Sequence, residues 1–80
     1  MKRLAEDAAR LRTEASDLDA SAERDRTAAS YLWTWCRPDA ARAAERRAEA
    51  RDEDAMALKL RAAEMEAILA CRSALLGLGA

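Results

Sequence analysis

Eighty residues leave room for one small domain, and fourteen Lys and Arg against fifteen Asp and Glu give a formal charge of −1. The composition is 51% hydrophobic, yet alanine alone supplies twenty-two residues and Phe and Val are absent, so a single copy buries little apolar area per ordered residue and self-association or a partner is expected. With no His, two Gly and one Pro, the chain lacks the commonest catalytic base and metal ligand and the usual punctuation of strand-and-turn folds, which argues against an enzyme and for an all-α module.

The chain opens Met-Lys-Arg and continues Leu-Ala-Glu-Asp, so acidic residues interrupt what would be the apolar stretch of a signal peptide, and a cytoplasmic location is the expectation. No apolar run approaches the ~20 residues that span a bilayer, so no membrane partner is expected. Twelve of the fourteen cations are Arg, and Ile, Phe and Asn are scarce or missing, a bias typical of GC-rich coding in bacteria and their phages. From about residue 2 to about residue 35 the spacing predicts one helix with a seven-residue rhythm. Ala8, Ala15, Ala22, Ala29 and Cys36 fall on one seam position and Leu4, Leu11, Leu18 and Leu32 on the other, where Asp25 is out of character. Within it, Ser16-Asp17-Leu18-Asp19-Ala20-Ser21 is rich in cap and turn formers and marks a place for a kink.

All three aromatic residues follow in Tyr31-Leu32-Trp33-Thr34-Trp35. Tyr31 and Trp35 share a helix face and Trp33 points nearly the opposite way, so at least one of these rings looks away from any single partner helix. Two readings stay open: a plug that closes the end of the fold, or an interface, because Trp and Tyr dominate binding energies. Cys36-Arg37-Pro38-Asp39 is the strong break, since proline removes a helix hydrogen bond and suits the first position of a new helix. A turn at about 36–38 followed by a helix from about 38 to about 76 makes an antiparallel helical hairpin, an alanine-rich coiled coil. Gly77 and Gly79 read as a helix stop and frayed tail over 77–80.

In the second helix Ala41, Ala48, Ala55, Ala62, Leu69 and Leu76 continue one seam position, and Ala44, Leu58 and Met65 the other, where Arg51 and Arg72 intrude. Folding about Pro38 brings together residues whose numbers add to about 75, which places Asp25 beside Arg51 and Leu18 beside Leu58. A further stripe, Met56, Leu60, Ala63, Ala67, Cys71, Ala74 and Leu78, lies away from that seam at three- and four-residue steps. A second copy, completing a four-helix bundle, is the simplest cover for it, with a heterologous protein as the alternative. Arg37, Arg42, Arg46, Arg47 and Arg51 are diluted by Asp39, Glu45 and Glu49, so nucleic-acid binding is disfavoured. Cys36 and Cys71 stand some ~50 Å apart in a hairpin, too far for a bridge, and are expected to be small buried hydrophobes.

Hairpins of the WXG type carry Trp-X-Gly at their bend. Trp33-Thr34-Trp35 and Trp35-Cys36-Arg37 lack that glycine, and no motif ties the chain to secretion chaperones or to small phage-encoded inhibitors, so no family is assigned. The expectation is a non-enzymatic, homodimeric protein-binding module, an inhibitor or adaptor of another protein, with a chaperone or a purely structural coiled coil as alternatives. Tyr31, Trp33, Trp35 and Arg37 are its candidate partner-binding residues. Met56, Leu60, Ala63, Ala67, Cys71 and Leu78 form the dimer or target stripe. No catalytic residue, metal ligand or cofactor site is expected.

Overall fold

The computed structural model describes the backbone of residues 2–79 and the side chains of residues 3–77. Two helices, α1 (Lys2–Thr34) and α2 (Pro38–Gly79), fold into an antiparallel hairpin about 66 Å long and 14 × 13 Å across its Cα atoms. Taking ~4.6 Å of the wider cross-section for the Cα cylinder of a helix leaves at most about 9 Å between the axes. The approach is this close because the seam is made of methyl groups. Ala8, Ala15, Ala22 and Ala29 of α1 and Ala41, Ala48, Ala55 and Ala62 of α2 are all buried, joined by Ala44 and Leu11. No large side chain is fully buried among the described residues. Each buried methyl contributes only about 0.8 kcal/mol, so much of what holds the pair together is dispersion between closely apposed backbones.

The facing layers have residue numbers adding to 76–78, slightly above the expected register, as in Asp25 with Arg51 and Trp33 with Glu45. The offset arises because Pro38, Asp39 and Ala40 are exposed and round the end of α1, and the seam of α2 starts only at buried Ala41. The two intruders do meet: an Arg51 guanidinium nitrogen donates to an Asp25 carboxylate oxygen, and Arg47 stands 3.7 Å from the other oxygen. Asp25 is only 15% exposed, and these two arginines are its ion-pair partners.

One flank of the hairpin carries a ladder of polar rungs at seven-residue steps. Arg12 pairs with Glu66 at 2.5 Å and Asp19 with Lys59 at 2.7 Å; Arg26 pairs with Asp52, and the Trp33 indole donates to Glu45 at 2.7 Å. Each exposed ion pair contributes little to stability. Their alternating sign nevertheless selects the register, which the repeating alanines leave degenerate. A slip of one heptad sets Arg12 against Lys59 and Asp19 against Asp52, and the opposite slip sets Asp19 against Glu66 and Arg26 against Lys59. The hydrogen bond from Arg12 holds the Glu66 carboxyl below the ordinary carboxylate range, outweighing desolvation, with the charge of Arg12 adding to it. A lowered carboxyl favours the fold above the unfolded range and loses that effect as pH falls through its folded value. Glu66→Gln is therefore expected to flatten the acid limb of the stability profile; an unchanged slope between pH 5 and pH 2 in chemical denaturation would refute this.

α1 runs unbroken through residues 16–21, in keeping with the heptad rhythm that passes through them. Ser16 and Asp17 are exposed and Asp19 is spent on Lys59, so none of these polar groups competes with the helix backbone. At the other end α2 does not stop at Gly77 but runs on to Gly79. Glycine costs a helix about 1 kcal/mol without forbidding it, and Leu75 and Leu76 before it are good helix formers.

The turn is a Schellman ending. The Arg37 amide donates to the Leu32 carbonyl (2.8 Å) and the Cys36 amide to the Trp33 carbonyl (3.1 Å), with Cys36 at φ 56°, the left-handed conformation usually given to glycine. The Arg37 carbonyl then accepts the Ala41 amide at 3.0 Å and begins α2, with Pro38 at its first position as expected. A side chain in this conformation costs roughly 1–2 kcal/mol, partly offset by the freedom glycine has when unfolded. Cys36→Gly should accordingly stabilise the hairpin by about 0.5–1 kcal/mol, read as a raised denaturation midpoint at fixed protein concentration. A lowered midpoint would show that the thiol matters more than the backbone.

Candidate functional site: the aromatic tip and the uncovered face of α2

The last turn of α1, ended by the left-handed Cys36, holds the three aromatic rings at the closed end of the rod. They do not behave alike. Trp33 is folded back against α2: its Nε1–H donates to Glu45 Oε1, and the Arg42 guanidinium lies 5.6 Å from the ring centroid, itself 3.8 Å from Asp39. A hydrogen bond and a cation–π contact together fix this ring as the top rung of the ladder. Tyr31 and Trp35, on the other side of α1, are 65% and 75% exposed. Arg37, at the turn, is exposed as well, and neither it nor nearby Arg46 has an ion-pair partner among the described residues.

Of the four residues singled out from sequence, the structure thus puts Tyr31, Trp35 and Arg37 outward and ties Trp33, still 44% exposed, back to α2. Sequence reasoning gave no role to Glu45 or Arg42 as holders of Trp33. Their signal was available in the register, since Trp33 and Glu45 stand in the same relation as Arg12 and Glu66.

Two grooves flank the seam, both open to solvent. One, about 320 Å³, is lined by Arg26, Ser30, Trp33, Glu45 and Glu49; the other, about 570 Å³, has half-buried Leu18 and Leu58 at its floor with Glu14, Asp17 and Arg51 around them. Among the described residues no group of three His, Cys, Asp or Glu side chains is placed to hold a metal ion. Among the described residues no helix is long and apolar enough to cross a membrane.

The stripe on α2 is uncovered. Met56 and Leu60 are more than half exposed, and Ala63, Ala67, Cys71 and Ala74 are exposed; Leu78 lies outside the described side chains. Ile68, Leu75 and Leu76 add exposed aliphatic surface at the same end. Both cysteines are free and exposed, against the expectation that they are buried. Cys36 ends a seam position but sits where the chain leaves the helix, and Cys71 occupies the side of α2 that α1 does not touch. No protein-family model, curated protein or solved structure matches the chain.

Proposed function

We propose that the protein is a non-enzymatic binding module that docks another protein at its aromatic tip and pairs with a second copy through the uncovered face of α2. The observation that carries the docking half is the exposure of Tyr31 and Trp35 beside unpaired Arg37. Apart from Trp33, which is 44% exposed, the rest of the exposed surface of α1 is charged, hydroxylic or alanine, and two rings more exposed still on such a rod are costly to hydrate unless a partner covers them. Their arginine neighbours suit a partner with an apolar pocket and an acidic rim. Occupying such a surface is the action of an inhibitor or adaptor.

The test is affinity capture with wild-type protein, a Tyr31→Ala, Trp35→Ala double variant and Leu60→Glu. A protein retained by wild type and by Leu60→Glu, and lost with the double variant at unchanged helicity, supports the tip. Equal retention by the double variant removes it. If only Leu60→Glu loses the captured protein, the second reading holds, favoured by exposed Met56 and Leu60: the stripe itself is the contact surface and the rod an assembly element.

A further inference from the structure

We infer that the second copy packs antiparallel to the first, α2 against α2 about Ala67, so that the two aromatic tips point in opposite directions. This rests on the self-association half of the proposed function and adds its geometry.

The need for cover is measurable as area. The hairpin exposes 5972 Å², whereas a compact monomer of 8.8 kDa exposes about 4800 Å². A rod 66 Å long and 14 × 13 Å across exposes more than a compact globule by shape alone, and the difference, about 1200 Å², leaves room for the ~800 Å² that one partner contributes to a standard interface. Apart from the three aromatic residues at the tip, the large exposed apolar side chains are Met56, Leu60, Ile68, Leu75 and Leu76, all on α2 from Met56 onward, and Met56 and Leu60 stand on the stripe.

The orientation follows from how one face of α2 changes character along its length. Its first half shows Arg42, Arg46, Glu49 and Glu53, all exposed, and its second half shows Met56, Leu60, Ala63, Ala67, Cys71 and Ala74 on the continuation of the same face. In a parallel two-fold dimer identical residues meet, so covering the apolar half also sets Arg46 against Arg46, Glu49 against Glu49 and Glu53 against Glu53. Like charges so placed oppose association. An antiparallel dimer centred on Ala67 overlaps only the apolar halves and leaves the charged halves in water. It lays Leu60 of one copy against Ala74 of the other, large against small, and Ala63 against Cys71, both small, which lets the helices approach closely. The charged residue brought nearest its own copy is Glu66, and its carboxylate is already engaged by Arg12 at 2.5 Å.

Three measurements on the full chain test this together. Light scattering should give twice 8.8 kDa. Two rods of 66 Å overlapping across the apolar halves of α2 should reach about 100 Å in small-angle scattering, at ~1.5 Å per helical residue. Under oxidation, Ala67→Cys combined with Cys36→Ser and Cys71→Ser should form a disulfide-linked dimer. Cys36→Ser alone should not, because the two Cys71 residues then lie about 12 Å apart along the axis. A dimer about 70 Å long that bridges through Cys71 overturns the antiparallel arrangement while leaving self-association intact. A mass of 8.8 kDa throughout the micromolar range overturns both and leaves the tip reading standing.

Discussion

Ala22→Leu should lower the stability of the hairpin by about 3 kcal/mol, near the upper end for overpacking. Ala22 is completely buried, and it faces Ala55, 1% exposed, in the middle of the seam. The two axes are held close by methyl groups meeting across every such layer, and three additional carbons there have no void to enter. The chain must either part its helices locally, which strips contacts from Ala15, Ala29, Ala48 and Ala62 as well, or force the new side chain off its rotamer. Ala20→Leu is the matching control, since Ala20 is exposed on the same helix and the same change there should stay within about 0.5 kcal/mol. Urea denaturation followed by circular dichroism, at one protein concentration for all variants, measures both. If the two variants melt alike, close packing at the alanine seam is not what holds the arms together.

Asp25→Leu combined with Arg51→Leu should act in the opposite direction and stabilise the fold by about 2 kcal/mol, because replacing a desolvated ion pair with packed aliphatic side chains often gains 1–4 kcal/mol. Leu18 and Leu58 already form the neighbouring layer on that side of the seam, so the new leucines would continue it. The single change Asp25→Ala should destabilise, since part-buried Arg51 loses its hydrogen-bonded carboxylate and exposed Arg47 a neighbouring charge. Arg51 is 36% exposed and can turn its head group to water, so this loss should fall below the 3–5 kcal/mol of a fully buried pair. A double variant less stable than the parent would mean that the ion pair contributes more than the aliphatic layer it displaces.

The backbone plan was legible because it rests on two coarse signals. Alanine at every seventh position is a direct statement of where two helices touch, and Pro38 is a direct statement of where the chain turns. Even Asp25 and Arg51 could be paired before any coordinates, since each broke the same rhythm at mirrored places. What stayed hidden depended on which way individual groups turn. That Cys36 adopts the left-handed conformation cannot be read from its side chain, because glycine or asparagine is the residue expected there. That Trp33 lies along the flank of α2, while Trp35 stands free, follows from whether Glu45 and Arg42 lie within reach, a matter of register to within one residue. The same error of one to three residues concealed the ladder, whose rungs become visible only once Arg12 is known to face Glu66. Gly77 misled in another way: near the end of a strongly helical run it weakens the helix without ending it.

The repeating seam also makes this architecture a ruler. Inserting one heptad into each arm at matching levels restores every alanine layer and lengthens the rod by about 10 Å, with the tip and the free end of α2 unchanged. Inserting it into one arm alone leaves seven residues with nothing opposite them and sets like charges face to face along the flank. The spacing between the bend and the open end can therefore drift over generations only by paired steps, and related proteins should differ in length by multiples of fourteen.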